Sequence, residues 1–267
     1  MKRAEKQRQK IDDELDRRKM KRRRDDDEYK VIEGVIDPPT LKAIYRLFRR
    51  TDLDKVHGVI STGKEANVYR GETINGTSVA VKIYRISTAE TDFMREYMIG
   101  DPRFKRVGRR SRVLIPQWAM KEYKNLIRYH EAGVRVPEPI AIDRNVLVME
   151  FIGNQSDSQA APAIKDIKIP SPVKTYNDII NMIEIGYVKA KLVHADLSEY
   201  NILWMKGPVI IDVSQAVVKD HENSAKYLYR DIQNVTYFFN KLGVSTPDPE
   251  EITSHIISLG EETNDVS

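Results

Sequence analysis

An aspartate and an asparagine stand five positions apart in Leu192-Val193-His194-Ala195-Asp196-Leu197-Ser198-Glu199-Tyr200-Asn201-Ile202-Leu203, between a helical stretch and a short apolar run. An ionised Asp in such a loop suits the acceptor of a hydroxyl proton, and an Asn amide is a neutral oxygen ligand for a hard cation. Further on, Val209-Ile210-Ile211-Asp212-Val213-Ser214 ends an apolar run on a lone carboxylate. Burying that charge is costly unless a cation meets it, and Mg2+ is the natural candidate. Much earlier, Ser61-Thr62-Gly63-Lys64-Glu65-Ala66-Asn67-Val68-Tyr69 sets one glycine and small polar residues between two strand-like runs. Backbone N–H groups in such a turn can approach phosphate oxygens. Lys82 follows in Ala80-Val81-Lys82-Ile83, where an ammonium among apolar neighbours needs an anion. ATP phosphates and a carboxylate from the next helix would supply it.

Phosphoryl transfer from ATP needs held phosphates, one or two Mg2+ ions on oxygen ligands, and an acidic group beside the attacking oxygen. The three segments provide those parts in that chain order. Each has a plainer reading alone: a hairpin with an edge lysine, a turn aspartate, a strand end. His194 reads as a brace for the loop backbone rather than a base.

The surrounding pattern supplies elements to position them. Asp37-Pro38-Pro39-Thr40 is a turn and N-cap, and Leu41, Ile44, Tyr45, Leu47 and Phe48 recur at helical spacing over residues 40–50. Residues 56–60, 66–70 and 79–84 read as strands, with Asn75-Gly76 turning the last two into a hairpin. Residues 85–112 are polar, rich in Arg and Lys and broken by Gly100, Pro102 and Gly108, which predicts a helix fragment and then a mobile loop. A long helix over 117–132, strands at 139–142 and 146–151, a linker from Gly153, and helices over 176–191 and about 224–242 complete the plan. Short apolar runs at 201–205 and 209–213 lie between those last two helices. The expected organisation is a charged N-terminal extension with an amphipathic helix over 1–50, an N-terminal lobe over 51–152 and a helical C-terminal lobe over 153–267.

Composition narrows the class. Hydrophobic residues at 40% and charged residues at 31% fit a folded chain, and the absence of cysteine excludes disulfides and thiolate metal sites and points to a cytoplasmic protein. No apolar run approaches the roughly eighteen residues of a membrane span, so no membrane partner is expected. The first thirty residues are charged throughout, without the apolar core of a secretory signal. They read as a solvated helix or tail, or as a basic arm touching RNA, although the acidic run from Asp25 to Glu28 argues against a clean phosphate-binding patch.

The three chemical segments, ending with Ile211-Asp212-Val213-Ser214-Gln215-Ala216, resemble the RIO-type atypical serine/threonine protein kinases over about residues 30–245. They are most like the first RIO subfamily in a short, archaeal-like form. The second subfamily opens with a winged-helix domain, for which residues 1–50 have no pattern. The resemblance implies an α+β, two-lobed protein-kinase-like fold with a small antiparallel-sheet N-lobe plus a helix and a reduced, mainly helical C-lobe. It implies ATP with Mg2+, Mn2+ substituting, and Asp196 as the catalytic aspartate. Asn201 and Asp212 would hold metal, and Asp212 would also accept phosphate as an acyl-phosphate. Lys82 would bind phosphates and pair with Glu122, and Ser61, Thr62, Gly63, Lys64 and Val68 would belong to the phosphate loop. Glu150 and Ile152 would be hinge residues meeting adenine, with Met149 as gatekeeper. Ser111, in the stretch matching the family's flexible loop, would be the autophosphorylation candidate. Family membership further implies ATPase activity and work on the precursor of the small ribosomal subunit, rRNA and ribosomal proteins included, with no DNA partner.

Departures from ordinary protein kinases carry information too. A single Gly63 stands where such kinases have G-x-G-x-x-G, and Val213-Ser214 follows the metal aspartate. Residues 213–267 are too few for an activation segment and a full set of substrate-binding helices. That favours an ATP-driven binding switch over peptide recognition. Two other classes compete. A small-molecule kinase of the aminoglycoside or choline phosphotransferase type shares the His-x-Asp-x-x-x-x-Asn loop and the later Ile-Asp. A silent RNA-binding module predicts loss of Lys82, Asp196, Asn201 or Asp212, all of which are present. Arg103, Lys105, Arg106, Arg109, Arg110 and Arg112 form a basic cluster suited to rRNA phosphates or simply to solvent.

Overall fold

The computed structural model describes residues 37–87, 89–104 and 106–262. The charged opening stretch and Lys105 lie outside them. Helix α1 (Pro38–Arg50) starts where sequence chemistry places it. Asp37 caps it by accepting from the Thr40 N–H at 3.2 Å and the Thr40 hydroxyl at 2.5 Å, and proline fills the first turn. Its apolar face, Ala43, Ile44 and Leu47, is buried with Leu53, Val146 and Val148. The helix is thus part of the N-lobe core rather than an appendage to it.

Strands β1 (Leu53–Thr62), β2 (Ala66–Thr73), β3 (Ser78–Tyr84), β4 (Pro139–Asp143) and β5 (Val146–Glu150) form an antiparallel sheet in the order β1-β2-β3-β5-β4. β3 is central, and every one of its residues is buried, as expected of a strand covered on both faces. Its register on β5 runs from Val79 opposite Glu150 to Ile83 opposite Val146. The pairing therefore spans the whole of residues 85–145.

Two helices fill that span: α2 (Thr91–Glu96) and α3 (Ser111–Glu131). The helix expected over 117–132 thus begins earlier. Pro116 reads as a breaker, but near the start of the helix it forgoes only the bond to the carbonyl of exposed Arg112. Ser111 consequently sits on the first turn of α3 and not in a loop. Trp118, on α3, is fully buried and anchors the larger core cluster, a burial whose loss costs about 3–5 kcal/mol.

Beyond Glu150 comes the hairpin of β6 (Gly153–Asn154) and β7 (Gln159–Ala160), then α4 (Pro172–Val188). Short strands β8 (Leu192–Val193), β9 (Ile202–Trp204), β10 (Pro208–Ile210) and β11 (Val217–Val218) pair as β9 with β10 and β8 with β11. Helices α5 (Ser224–Lys241) and α6 (Pro249–Glu262) pack with α4. α6 is not among the expected helices, although Asp248-Pro249-Glu250-Glu251 ahead of Ile252, Ile256 and Leu259 is a helix-start pattern, and Asp248 accepts from the Glu250 N–H at 2.8 Å. Its core contact runs through Ile256 and through Gly260, where a Cβ would meet the Tyr187 ring at 2.7 Å. No helix among the described residues is long and apolar enough to cross a membrane.

Candidate active site

A cleft of about 710 Å3 opens between the sheet and the helical region. Asp196, Asn201, Asp212, Lys82, Glu122, Ser61, Gly63, Lys64, Val68, Met149, Glu150 and Ile152 all line it. Thr62 and Ser111 do not. Thr62 is spent pairing with Asn67 at the end of β1, and Ser111 lies on α3 outside the lining.

The roof is the β1–β2 turn. Gly63 donates its N–H to Ala66 O at 2.9 Å, and a Cβ at Gly63 would come within 3.1 Å of that same oxygen. A side chain there would press that carbonyl aside by a few tenths of an ångström, so glycine suits the close approach. The turn is also tied to α3, because the Trp118 indole N–H donates to Glu65 Oε2 at 3.0 Å.

Beneath it, Lys82 comes from buried β3 and Glu122 from the inner face of α3. The ammonium lies 2.9 Å from Glu122 Oε1 and 2.8 Å from Oε2. It also lies 2.9 Å from Asp212 Oδ1. One cation is therefore shared by two carboxylates. Burial alone would lower the Lys82 ammonium, but Asp212 and Glu122 outweigh it and hold it above the usual lysine range. Burial pushes Glu122 up to about 7, against the pull of Lys82. Asp212 keeps its charge: burial raises it, yet the Lys82 ammonium and the Ser214 hydroxyl, 3.0 Å away, bring it below the ordinary carboxylate range. Its side chain remains 45% exposed towards the cleft, and its backbone is left-handed at φ 57°. A non-glycine residue holds that conformation only when its surroundings impose it.

The floor is the loop between β8 and β9. Ala195, before Asp196, is also left-handed at φ 66°. α5 enforces this. Asp231 accepts the N–H groups of Ala195 at 2.7 Å and Leu197 at 2.9 Å, Arg230 donates to Ala195 O, and Asn234 donates to Leu197 O at 3.0 Å. Burial pushes Asp231 up to about 7, opposed by those two N–H groups. His194 braces the loop as expected. Its Nδ1 accepts from the Asp196 N–H at 3.3 Å and its Nε2 donates to Ile211 O at 3.1 Å. That bonding pattern is one neutral tautomer, and burial drives the imidazole down to about 4.

Asp196 itself is held by amides. Gln215 Nε2 donates to its Oδ2 at 2.9 Å, and Asn201 Nδ2 to its backbone oxygen at 2.8 Å and to Oδ2 at 3.4 Å. Burial, with the charge of Asp212, raises the Asp196 carboxyl above its ordinary value. Among the described residues, no group of three or more His, Cys, Asp or Glu forms a metal cage. One carboxylate, one amide oxygen and the oxygens of a bound phosphate are the donor set that suits Mg2+, which keeps to a few protein ligands.

The model of the RIO domain matches residues 67–252, which include every element of this floor and begin just after the β1–β2 turn. The chain belongs to the RIO family. It is 42% identical over 223 residues to the RIO-type serine/threonine-protein kinase Rio1 of Haloferax volcanii, covering 83% of this chain and 76% of that one. It is 39% identical over 226 residues to the human serine/threonine-protein kinase RIO1, covering 83% of this chain and 39% of the human one. The chain thus spans most of the archaeal relative and well under half of the human one. Among solved structures, the Rio2 kinase–ADP/Mg2+–phosphoaspartate complex of Chaetomium thermophilum superposes with a TM-score of 0.61 at 27% identity, over 79% of this chain and 64% of that one. The fold is the expected α+β, two-lobed kinase-like one.

Proposed function

We propose that this protein is an ATP- and Mg2+-dependent atypical serine/threonine kinase with autophosphorylating and ATPase activity. The observation that carries it is the convergence of Lys82, Asp196, Asn201 and Asp212 on one cleft, from three separate stretches of chain. Its relatives bear the name of RIO-type kinases, and a structural neighbour is named as an ADP/Mg2+ complex.

In this reading Asp212 and Asn201 hold Mg2+, which when bound neutralises charge on the transferred phosphoryl group. Lys82 faces the phosphates while Glu122 keeps its ammonium in place. The β1–β2 turn covers the phosphates with backbone N–H groups. Asp196, aimed by Gln215 and Asn201, accepts the proton of the attacking hydroxyl or water. Met149, Glu150 and Ile152 receive the base. Ile152 O already accepts from the Ala161 N–H at 2.9 Å, so contact of Ile152 with a purine runs through its N–H.

The physiological setting we propose is cytoplasmic maturation of the small ribosomal subunit. Arg106, Arg109, Arg110 and Arg112 are exposed and available to rRNA phosphates. Arg103 is not, since it is bonded inside the fold. The test is Mg2+-dependent phosphate release from labelled ATP by wild type and Asp196→Ala, with and without small subunits. Turnover that subunits raise and the variant abolishes supports the reading. Turnover indifferent to subunits removes the ribosomal part, and none at all removes the enzyme.

A further inference from the structure

The turn that follows Asp212 closes on itself through the Ala216 N–H to Val213 O at 3.2 Å and the Ser214 hydroxyl to Asp212 at 3.0 Å, and α3 adds further bonds. Lys121 Nζ donates to Ser214 O at 2.8 Å and to Ala216 O at 2.6 Å. Asn125 Nδ2 donates to Val213 O at 2.7 Å and to Ala216 O at 3.3 Å. Both side chains come from α3 and are fully buried. Together they bind the carbonyls of Val213, Ser214 and Ala216, flanking a metal-site aspartate in a left-handed conformation.

The orientation of the Asn125 amide is set from elsewhere. Arg103 Nη1 donates to Asn125 Oδ1 at 2.7 Å. A flipped amide would aim its NH2 at a guanidinium and its oxygen at two carbonyls, repulsive at both ends. Arg103 is itself gripped by Asp101, with Nε at 2.9 Å from Oδ1 and Nη2 at 2.6 Å from Oδ2, a charge-assisted fork on a carboxylate 2% exposed. An unbroken run of hydrogen bonds thus leads from residues 101–103, through α3, to the turn carrying Asp212.

We propose that Asp101, Arg103, Asn125 and Lys121 are positioning residues for Asp212, and that the stretch carrying Asp101 and Arg103 sets the cation-holding geometry without touching substrate. The catalytic consequence rests on the phosphotransfer reading; the structural consequence rests on the hydrogen bonds alone. The stretch expected to be a mobile loop is, at residues 101–103, a latch on the active site. Ordering or loosening it by a partner or by modification would therefore be read at the metal aspartate.

The test uses Arg103→Lys, which keeps the buried charge beside Asp101 but loses the Nη1 donor that reaches Asn125. The double variant Asp101→Asn/Arg103→Gln removes both charges, so neither is left buried alone. Two readouts apply: hydrogen exchange by mass spectrometry, and nucleotide affinity with excess Mg2+ and with EDTA. The expectation is faster exchange over residues 209–217 with residues 172–188 unchanged. The Mg2+-dependent gain in affinity should fall about tenfold while affinity in EDTA holds. Unchanged exchange at 209–217, or an equal rise everywhere, overturns the latch. A wild-type protein whose nucleotide affinity ignores Mg2+ overturns the phosphotransfer reading instead, and the exchange data still decide the latch.

Discussion

Lys82 Nζ lies 2.9 Å from Asp212 Oδ1, so that the central strand of the sheet and the turn after β10 meet through one ion pair. The same ammonium serves Glu122, which is 1% exposed. Sequence reasoning alone expects Lys82→Ala to harm catalysis more than folding. The geometry predicts harm to both, because the substitution strands a buried carboxylate. A loss of about 3 kcal/mol is expected in chemical denaturation. Adding Glu122→Gln should recover much of that stability and none of the phosphate release.

Asp212 and Asp196 should fail differently. Asp212→Ala is expected to abolish the Mg2+-dependent part of nucleotide affinity, whereas Asp196→Ala should bind a fluorescent ATP analogue nearly as wild type does and turn over at least about 100-fold less ATP. Titration of both variants checks this, and equal loss of binding would show the two roles to be misassigned.

The acid limb of the rate profile should report on Asp196. A base must be ionised, and burial beside Asp212 raises this carboxyl, so turnover should decline at a higher pH than an ordinary aspartate would cause. Gln215 donates to the ionised form. Gln215→Leu should therefore move the limb further towards neutral pH, which a pH series of kcat would reveal.

His194 predicts a stability effect of definite sign. Its folded value is near 4 against an ordinary 6.5. Between those two the unfolded chain takes up a proton that the folded chain refuses. Stability should then fall as pH drops from about 6.5 to about 4, by about 3 kcal/mol in all from this group. His194→Gln should flatten that part of the curve relative to wild type.

Much of this site was legible in the sequence because its residues sit beside breaks in pattern. Lys82 interrupts an apolar strand, Asp212 ends one, and Asp196 and Asn201 lie in a polar gap between apolar runs. The supports were illegible for the opposite reason. Arg230, Asp231 and Asn234 look like ordinary polar positions on an amphipathic helix, and Lys121 and Asn125 like the solvated face of another. Only the fold shows those faces turned inward against backbone carbonyls and N–H groups. Gln215 follows Asp212 closely, yet its bond to Asp196 crosses the cleft floor and has no sequence signature. The stretch 85–112 was legible in part: its helix fragment is α2, and Arg106, Arg109, Arg110 and Arg112 face solvent as the composition suggests. There Arg103 is an internal strut, and Ser111 and Arg112 belong to α3.

The place of β3 also bears on how the chain folds. β1, β2 and β3 join through short turns, but the second edge of β3 finds its partner only when β5 arrives, after residues 85–145 have been made and gathered in. Closing so long a connection is entropically slow, and non-local strand pairing of this kind delays folding. Until then a strand that is buried along its whole length in the finished sheet presents an open apolar edge, the setting in which nascent chains stick to one another. Sheet completion should therefore be the late step of folding in the N-lobe, and the emerging Ser78–Tyr84 segment the part of the chain most in need of shielding during synthesis.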